Sequence, residues 1–392
     1  MARLKTLTWL AAWAAAMGLA AGCAGLGHPP EAEPRPGRVL AWPGLEPVDR
    51  ARLAEVLAQA RVVLVGEVHD DPAHHQAQLE VLRLMLAQGP PPVVGVEWLD
   101  HTAQPACDAL SAGQITVEEF ARRVDWPHAW GYPLELYAPI LEEVRRRGLG
   151  LVALNAPVEV VRQVARQGLG SLSPAERERI APALDLEDPA YRELLERQFA
   201  GHGVEDPEAQ DNFLAAQIAR DETMAHHLAG ALHPWPDGGR RGVVFAGGGH
   251  LAHGQGLPAR IRRRLPGAEV LTFLPVSADK FKEGPEKRAP GAPADYLWVT
   301  QPPPPRPPRL GVMIHPTGGR GLQVAGVWPG GPAAEAGLRK GDVLLAVDGR
   351  PLASAKDIHD AIKAAPHQPH RYTVLRDGRE LTLTITLPAG DG

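Results

Sequence analysis

The stretch RVVLVGEVHDDPAHHQ, residues 61–76, decides how this chain folds. Val62, Val63, Leu64 and Val65 form an unbroken apolar run that closes at Gly66. The chain then turns polar at Glu67, His69, Asp70 and Asp71, Pro72 ends the turn, and helical periodicity starts near His74. A short β-branched run without alternation suits a strand buried on both faces, as in a parallel sheet. Ligands of open parallel sheets bind outside the carboxyl ends of the strands. Glu67 and His69 stand at such an end. The event recurs in GVVFAGGGH, residues 242–250, so Gly-x-x-His closes two strands, at Gly66 to His69 and Gly247 to His250.

Working outward, residues 93–96 form a second apolar run ending in Glu97, and residues 149–154 a third ending in Asn155. A fifth strand is expected over 270–274. Helical spacing occupies 48–59, 74–88, 117–124, 134–147, 157–167, 174–184, 191–199 and 208–232, and the stretch between Glu97 and Val117 reads as a loop. Strands alternating with helices define an α/β domain over residues 44–278, a parallel sheet flanked by helices with a helical insertion.

The ends of the chain read differently. Arg3 and Lys5 precede an apolar run over 7–19, followed by Leu-Ala-Ala-Gly-Cys ending at Cys23. Residues 1–23 therefore read as a lipoprotein signal peptide with lipid carried on Cys23, the alternatives being an ordinary signal peptide or a short anchor. The run is too short and Ala-rich for a comfortable spanning helix. Acyl chains would hold the protein to a membrane. Ala24 carries no acidic retention signal, which makes the outer membrane, facing the periplasm, the expected site in a two-membrane cell. Proline-rich residues 24–43 read as a flexible tether. Residues 279–309, with prolines at 302–305, 307 and 308, read as a stiff linker. Residues 310–392 form a second domain of short strands, with turns at Asp348-Gly349 and Asp377-Gly378 and one helix over 355–364.

With 392 residues, 44% hydrophobic and 22% charged, the chain has material for two to three cored domains. A formal net charge of −5 argues against nucleic acid as the main partner. Cys107 is the only cysteine besides Cys23, so the fold rests on its core. No Cys-x-x-Cys-His occurs, which removes covalent c-type haem.

Glu67, His69, Glu97, Asn155 and His250 all end strands that should share one rim. Glu67, His69 and His250 could hold a divalent metal, and Glu67, His69, Glu97 and His250 could do acid–base chemistry. The plain alternative is that strand ends are polar because they meet water; the repeated Gly-x-x-His weighs against it. His74 and His75 either join the site or form a first helical turn facing water. Tyr132 and Tyr137, in the aromatic segment 126–139, could ligate ferric haem as phenolates or simply pack. Arg260, Arg262, Arg263 and Arg264 are expected on a solvated helix face, with anion pairing as the other option.

VLVGEVHDDPAHHQAQLEVL, VVGVEWLD, GYPLELYAPI, ALNAP, Asp221-Glu222-Thr223-Met224 and FAGGGHLAHGQGLP together resemble the ChaN family of bacterial lipoproteins, related to the Tiki, TraB and erythromycin-esterase proteins. The resemblance implies non-covalent haem binding through a tyrosine, with haems stacked between two subunits of a homodimer. It favours Tyr132 and Tyr137 over Tyr191 and Tyr296, with His69, His74, His75 and His250 as further cofactor-binding candidates. Through the Tiki-like relatives it implies a metal-dependent hydrolase at His69, His250 and Glu67 or Glu97 instead. VWPGGPAAEAGLRKGDVLLAVDGRPLASAKDIHDAI resembles PDZ domains of bacterial envelope proteins. There Leu310, Gly311, Val312 and Met313 correspond to the loop that binds a peptide carboxylate while the peptide adds to the sheet edge. The expectation is a lipid-anchored envelope protein that handles haem or iron and recruits a peptide partner. The alternatives are an envelope hydrolase, metal-dependent or resting on His and Glu, and a PDZ scaffold with a vestigial site.

Overall fold

The structure is a computed structural model that describes residues 35–199, 206–233, 239–283, 293–303, 310–317, 319–328 and 330–387. Cys23 and the signal-like segment lie outside these residues, as does 304–309 of the proline run. Fourteen strands are described: β1 Val39–Ala41, β2 Glu46–Val48, β3 Val62–Glu67, β4 Val93–Asp100, β5 Leu151–Asn155, β6 Gly242–Gly247, β7 Val270–Ser277, β8 Tyr296–Thr300, β9 Val312–Pro316, β10 Leu322–Val327, β11 Val343–Val347, β12 Arg350–Pro351, β13 Pro369–Arg376 and β14 Arg379–Thr386. The helices are α1 Arg50–Gln59, α2 Pro72–Ala87, α3 Gln104–Ser111, α4 Val117–Arg123, α5 Trp126–Ala129, α6 Leu134–Arg147, α7 Val158–Gln167, α8 Pro174–Arg177, α9 Pro189–Phe199, α10 Pro207–Ala231, α11 Gly248–Leu251, α12 Leu257–Arg264, α13 Pro332–Glu335 and α14 Ala355–Ala364. Among the described residues no helix is long and apolar enough to cross a membrane.

The first sheet has the order β2-β1-β8-β7-β3-β6-β4-β5. From β8 to β5 every pairing is parallel. The unbroken apolar run of β3 has its cause in this geometry. Val63 and Val65 pack into a core with α1, α2 and α6 residues such as Leu57, Leu82 and Leu141, while Val62 and Leu64 pack on the other face with Met224, Leu228 and Ile261. Successive side chains point to opposite faces, so a strand covered on both sides needs apolar residues at every position. Each fully buried Val or Leu contributes roughly 1.5–3 kcal/mol.

Two stretches differ from the sequence expectation. β1 falls within the expected tether and β8 within the expected linker, and they pair with each other antiparallel, Leu40 against Leu297. The sheet is therefore mixed at this edge, because β1 also runs antiparallel to β2. A three-residue strand among prolines carries too little pattern to read, and the proline-dominated composition around β8 masked the run Tyr-Leu-Trp-Val-Thr. The expected loop after β4 contains α3, with Pro105 in its first turn and Cys107 and Leu110 buried. The Gln104 side chain donates to the Leu151 carbonyl and accepts from Ala153 N–H, covering the free edge of β5. The helix expected over 174–184 stops at Arg177; Ser173 and Glu176 cap its start reciprocally.

The second sheet is antiparallel, in the order β14-β13-β11-β10-β9, with β12 beside β11. It has its own core, including Leu322, Val324, Leu344, Tyr372 and Val374, closed by Ile358 and Ile362 of α14. Asp377-Gly378 turns β13 into β14 with Arg376 paired to Arg379, the hairpin signal of a two-residue turn.

Candidate functional site

β3, β6, β4 and β5 are consecutive neighbours in the sheet, so their polar ends meet at one rim, where two knots of charge form. In the first, the buried Glu97 carboxylate accepts the Gly247 N–H at 2.5 Å and an Arg220 guanidinium N–H, and lies 3.3 Å from His250 Nε2. The other ring nitrogen of His250 is 2.5 Å from Asp221 Oδ1, and Asp221 Oδ2 accepts the Tyr191 hydroxyl at 2.5 Å. Asn155 donates to the Glu97 carbonyl at 2.9 Å and accepts from Arg220 Nε at 3.3 Å. Burial opposes charge on His250, but Glu97 and Asp221 outweigh it and raise the imidazole to about 9. Burial also works against the Glu97 carboxylate, and His250 and Arg220 nevertheless hold it far below the usual range. His250 is thus biased toward the imidazolium, with a carboxylate at each ring nitrogen.

The second knot is more open. Glu67 is buried, and its Oε1 lies 2.8 Å from His69 Nδ1 while the Tyr137 hydroxyl donates to it at 3.3 Å. Gln78 donates to Glu67 Oε2 at 2.7 Å. The His69 side chain keeps 28% of its surface exposed, with its ring 4.8 Å from Trp130 and 5.0 Å from Tyr132. Burial lowers the His69 pKa, but the hydrogen bond to Glu67 and the nearby Glu97 and Glu67 charges raise it on balance. Gly247 joins the two knots. A Cβ there would come within 2.9 Å of His69 Cε1 and 3.3 Å of Glu97 Oε2, so only glycine lets the His69 ring cross the end of β6.

The remaining sequence candidates separate clearly. His74 and His75 are buried rather than turned to water. His74 Nδ1 accepts the Val68 N–H at 2.9 Å, and His75 Nε2 lies 3.1 Å from the His69 carbonyl, its ring against Tyr137. Tyr137 is fully buried and donates to the His69 carbonyl at 3.0 Å; burial and Glu67 push its phenol far above the ordinary range. Tyr132 alone of the pair is part-exposed at the mouth. Among the described residues, no group of three or more His, Cys, Asp or Glu is set to hold a metal. Cys107 is buried, and its thiol is pushed up to about 12.

The α12 arginines divide: Arg262 and Arg263 are exposed, as on a solvated face, Arg264 is half-buried and Arg260 is turned inward. Arg260 is fully buried 4.5 Å over the Tyr191 ring and 3.4 Å from the buried Glu222, which also pairs with Arg263 and, at 2.5 Å, with Arg264. A buried carboxylate of this kind needs cations around it. The sequence reading did not single out Arg220, Asp221 or Glu222 as site groups. The available signal was a charged triplet inside an otherwise apolar helical stretch, since Asp and Glu are almost never fully buried unless paired.

In the second domain, the Leu310 carbonyl accepts Ala333 N–H at 3.1 Å, and Gly311, at φ +78°, accepts Trp328 N–H at 2.9 Å. Positive φ at Gly311 turns the chain into β9, the last strand of its sheet.

The architecture is that of an α/β protein with a charged strand-end site, joined to a small antiparallel β domain closed by one helix. The model of the family described as "Haem-binding uptake, Tiki superfamily, ChaN" matches residues 53–261, and the PDZ domain model matches 323–376. This chain belongs to the ChaN family and carries a C-terminal PDZ domain. It is 27% identical over 294 residues to Protein RETICULATA-RELATED 5, chloroplastic, of Arabidopsis thaliana, covering 67% of this chain and 37% of that protein. It is also 46% identical over 85 residues to the magnetosome formation protease MamE of Paramagnetospirillum magneticum, covering 21% of this chain and 12% of that protein. The chain thus spans well under two thirds of either relative. Among solved structures, one described as cofacial heme binding to ChaN of Campylobacter jejuni shares the fold, with a TM-score of 0.52 at 17% identity, covering 66% of this chain and 95% of that one.

Proposed function

We propose that this protein binds haem non-covalently at the strand-end rim, in haem or iron uptake or storage. The observation that carries the reading is His69. Its Nδ1 is held by the buried Glu67 carboxylate while its ring stays part-exposed beside Tyr132 and Trp130. Metal-ligating histidines characteristically give their other ring nitrogen to a carboxylate or carbonyl, which fixes the ring and raises its basicity. The residues at the mouth fit haem: an imidazole with one nitrogen already engaged, a neighbouring phenol and flat aromatic walls. His69 and Tyr132 would hold the iron, and the group would supply redox-active iron when bound. His250, sealed between two carboxylates, serves to fix β6 against α10. Val68 and Val158, both exposed at the rim, would be covered by a second copy of the chain in a homodimer. Lipid on Cys23 would place the protein in the bacterial envelope, on the outer membrane facing the periplasm, and the PDZ domain would recruit a peptide or protein C-terminus there.

The test is a hemin titration followed by absorbance and sedimentation. Saturable binding that weakens at least tenfold in His69→Ala and measurably in Tyr132→Phe supports the reading. Nonsaturable uptake, or binding indifferent to both substitutions, overturns it.

One observation favours a second reading. A carboxylate-oriented, part-exposed histidine is also the arrangement of a general base, so Glu67 and His69 would serve a hydrolase, with or without a divalent metal. Turnover of an ester or peptide without hemin, lost in His69→Ala and in Glu67→Gln, would establish it.

A further inference from the structure

Away from the Glu97–His250 knot, the turn after β4 and the helix α10 bring two imidazoles together. His101 opens the single helical turn His101–Ala103, and His227 lies near the C-terminal end of α10. Both elements pack on β5. The two rings are 5.1 Å apart, centre to centre, and inclined by 33°. Each comes from a fixed element. Asp100 Oδ1 accepts the Thr102 N–H at 2.8 Å and the Thr102 hydroxyl at 2.5 Å, which pins the turn. His227 stands two helical turns beyond Arg220, about 10 Å along the axis of α10, and is therefore separate from the knot that Arg220 joins. His101 Nδ1 is buried and has no hydrogen-bond partner among the described residues. A buried ring nitrogen left unpaired calls for an explanation, and a bound ion is one. Burial, with His101 and His226, lowers the His227 pKa to about 4. At neutral pH its imidazole is uncharged and keeps a lone pair.

We infer that His101 and His227 form a two-imidazole site for a borderline divalent cation, Cu²⁺ ahead of Ni²⁺ or Zn²⁺. The ring separation fits. With metal–nitrogen bonds of about 2.0–2.1 Å, two imidazoles on one cation at about 90–110° have ring centres about 4.5–5.3 Å apart. Imidazole suits Cu, Ni and Zn, whereas Mg and Ca take oxygen donors, and on nitrogen sites Cu²⁺ binds tightest. Among the described residues no cluster of three His, Cys, Asp or Glu is set for a metal, so water fills the remaining positions. His226 stays outside the pair. Its ring is 5.5 Å from that of His227, but its side chain is exposed, and successive residues of a helix point about 100° apart. The site is independent of the haem reading: neither needs the other to hold.

The full chain carrying His69→Ala, which removes the part-exposed rim imidazole, is titrated with Cu²⁺ and followed by electron paramagnetic resonance. The tightest class should hold one Cu²⁺ per chain, with nitrogen splittings from two imidazoles. His101→Gln and His227→Gln, added singly, should each weaken that class at least about tenfold and reduce the splittings to one imidazole, while His226→Gln leaves both unchanged. Zn²⁺ should compete for the same class more weakly. Circular dichroism checks the fold of each variant. The His69→Ala spectrum tests the inference without the added substitutions: a tightest class with fewer or more than two imidazoles overturns it. A two-imidazole class that survives both substitutions also overturns it, placing the cation on other histidines and leaving His101 and His227 as a packed pair.

Discussion

The two Gly-x-x-His ends sit on adjacent strands of one sheet and have opposite fates. His250 at the end of β6 is clamped between Asp221 and Glu97. His69 at the end of β3 has one carboxylate partner and an open side toward Trp130 and Tyr132. The difference is made by what each strand end faces. α10 delivers Asp221 and Arg220 to the β6 side, whereas α5 and the turn before α6 deliver aromatic rings to the β3 side. An imidazole with two carboxylates becomes a fixed charge; one with a single carboxylate becomes an aimed ligand or base.

Breaking the sealed side should cost the most. Glu97→Ala leaves the His250 imidazolium, Arg220 and the Gly247 N–H short of an acceptor, and should destabilise the fold by about 3–5 kcal/mol in denaturant titration. A loss below about 1 kcal/mol would mean the clamp contributes little.

The pH dependence separates the two histidines next. His250 has its folded-state pKa raised to about 9 from an ordinary 6.5. Its stabilisation is therefore fully present below about pH 6.5 and lost as pH rises through 9. Thermal melts should fall in temperature from pH 7 to pH 10, and His250→Gln should lower stability at pH 7 while flattening that slope. The Glu97 carboxylate works in the other direction: its contribution is present above the ordinary carboxylate pKa and is lost only in strong acid.

Sharpening the open side takes smaller changes. Gly247→Ala forces its Cβ against His69 Cε1; moving that ring should weaken hemin binding by about tenfold, with a stability loss of about 1–3 kcal/mol. Tyr137→Phe removes a hydroxyl that braces Glu67 and the His69 carbonyl and should cost about 1 kcal/mol. Tyr132→Phe should change stability by less than about 0.5 kcal/mol while lowering hemin affinity. Under the proposed haem reading the two tyrosines would divide into a brace and a ligand, read by melting in one case and absorbance in the other.

How much of this was legible follows from distance along the chain. The strands β3, β4, β5, β6 and β7 were readable because burial on both faces demands continuous apolar runs, a local signature. Helix α14 was readable from its spacing over 355–364. β1 and β8 were not, because the pairing that makes them sheet strands joins residues some 250 apart in the chain. Arg260 of α12 was misplaced for the same reason. Nothing local to Arg260 announces that Glu222, on another helix, lies 3.4 Å away and that Tyr191 lies under its guanidinium.

The chain by itself determined where apolar runs end in Glu67, Glu97, Asn155 and His250, and therefore that a parallel sheet would carry its chemistry on one rim. It could not say which histidine is sealed and which is open. That was decided in three dimensions, because exposure and proton affinity depend on the charges and rings that packing brings within a few ångströms. For His250 those arrive from α10 and β4; for His69 they arrive from Glu67, Trp130 and Tyr132.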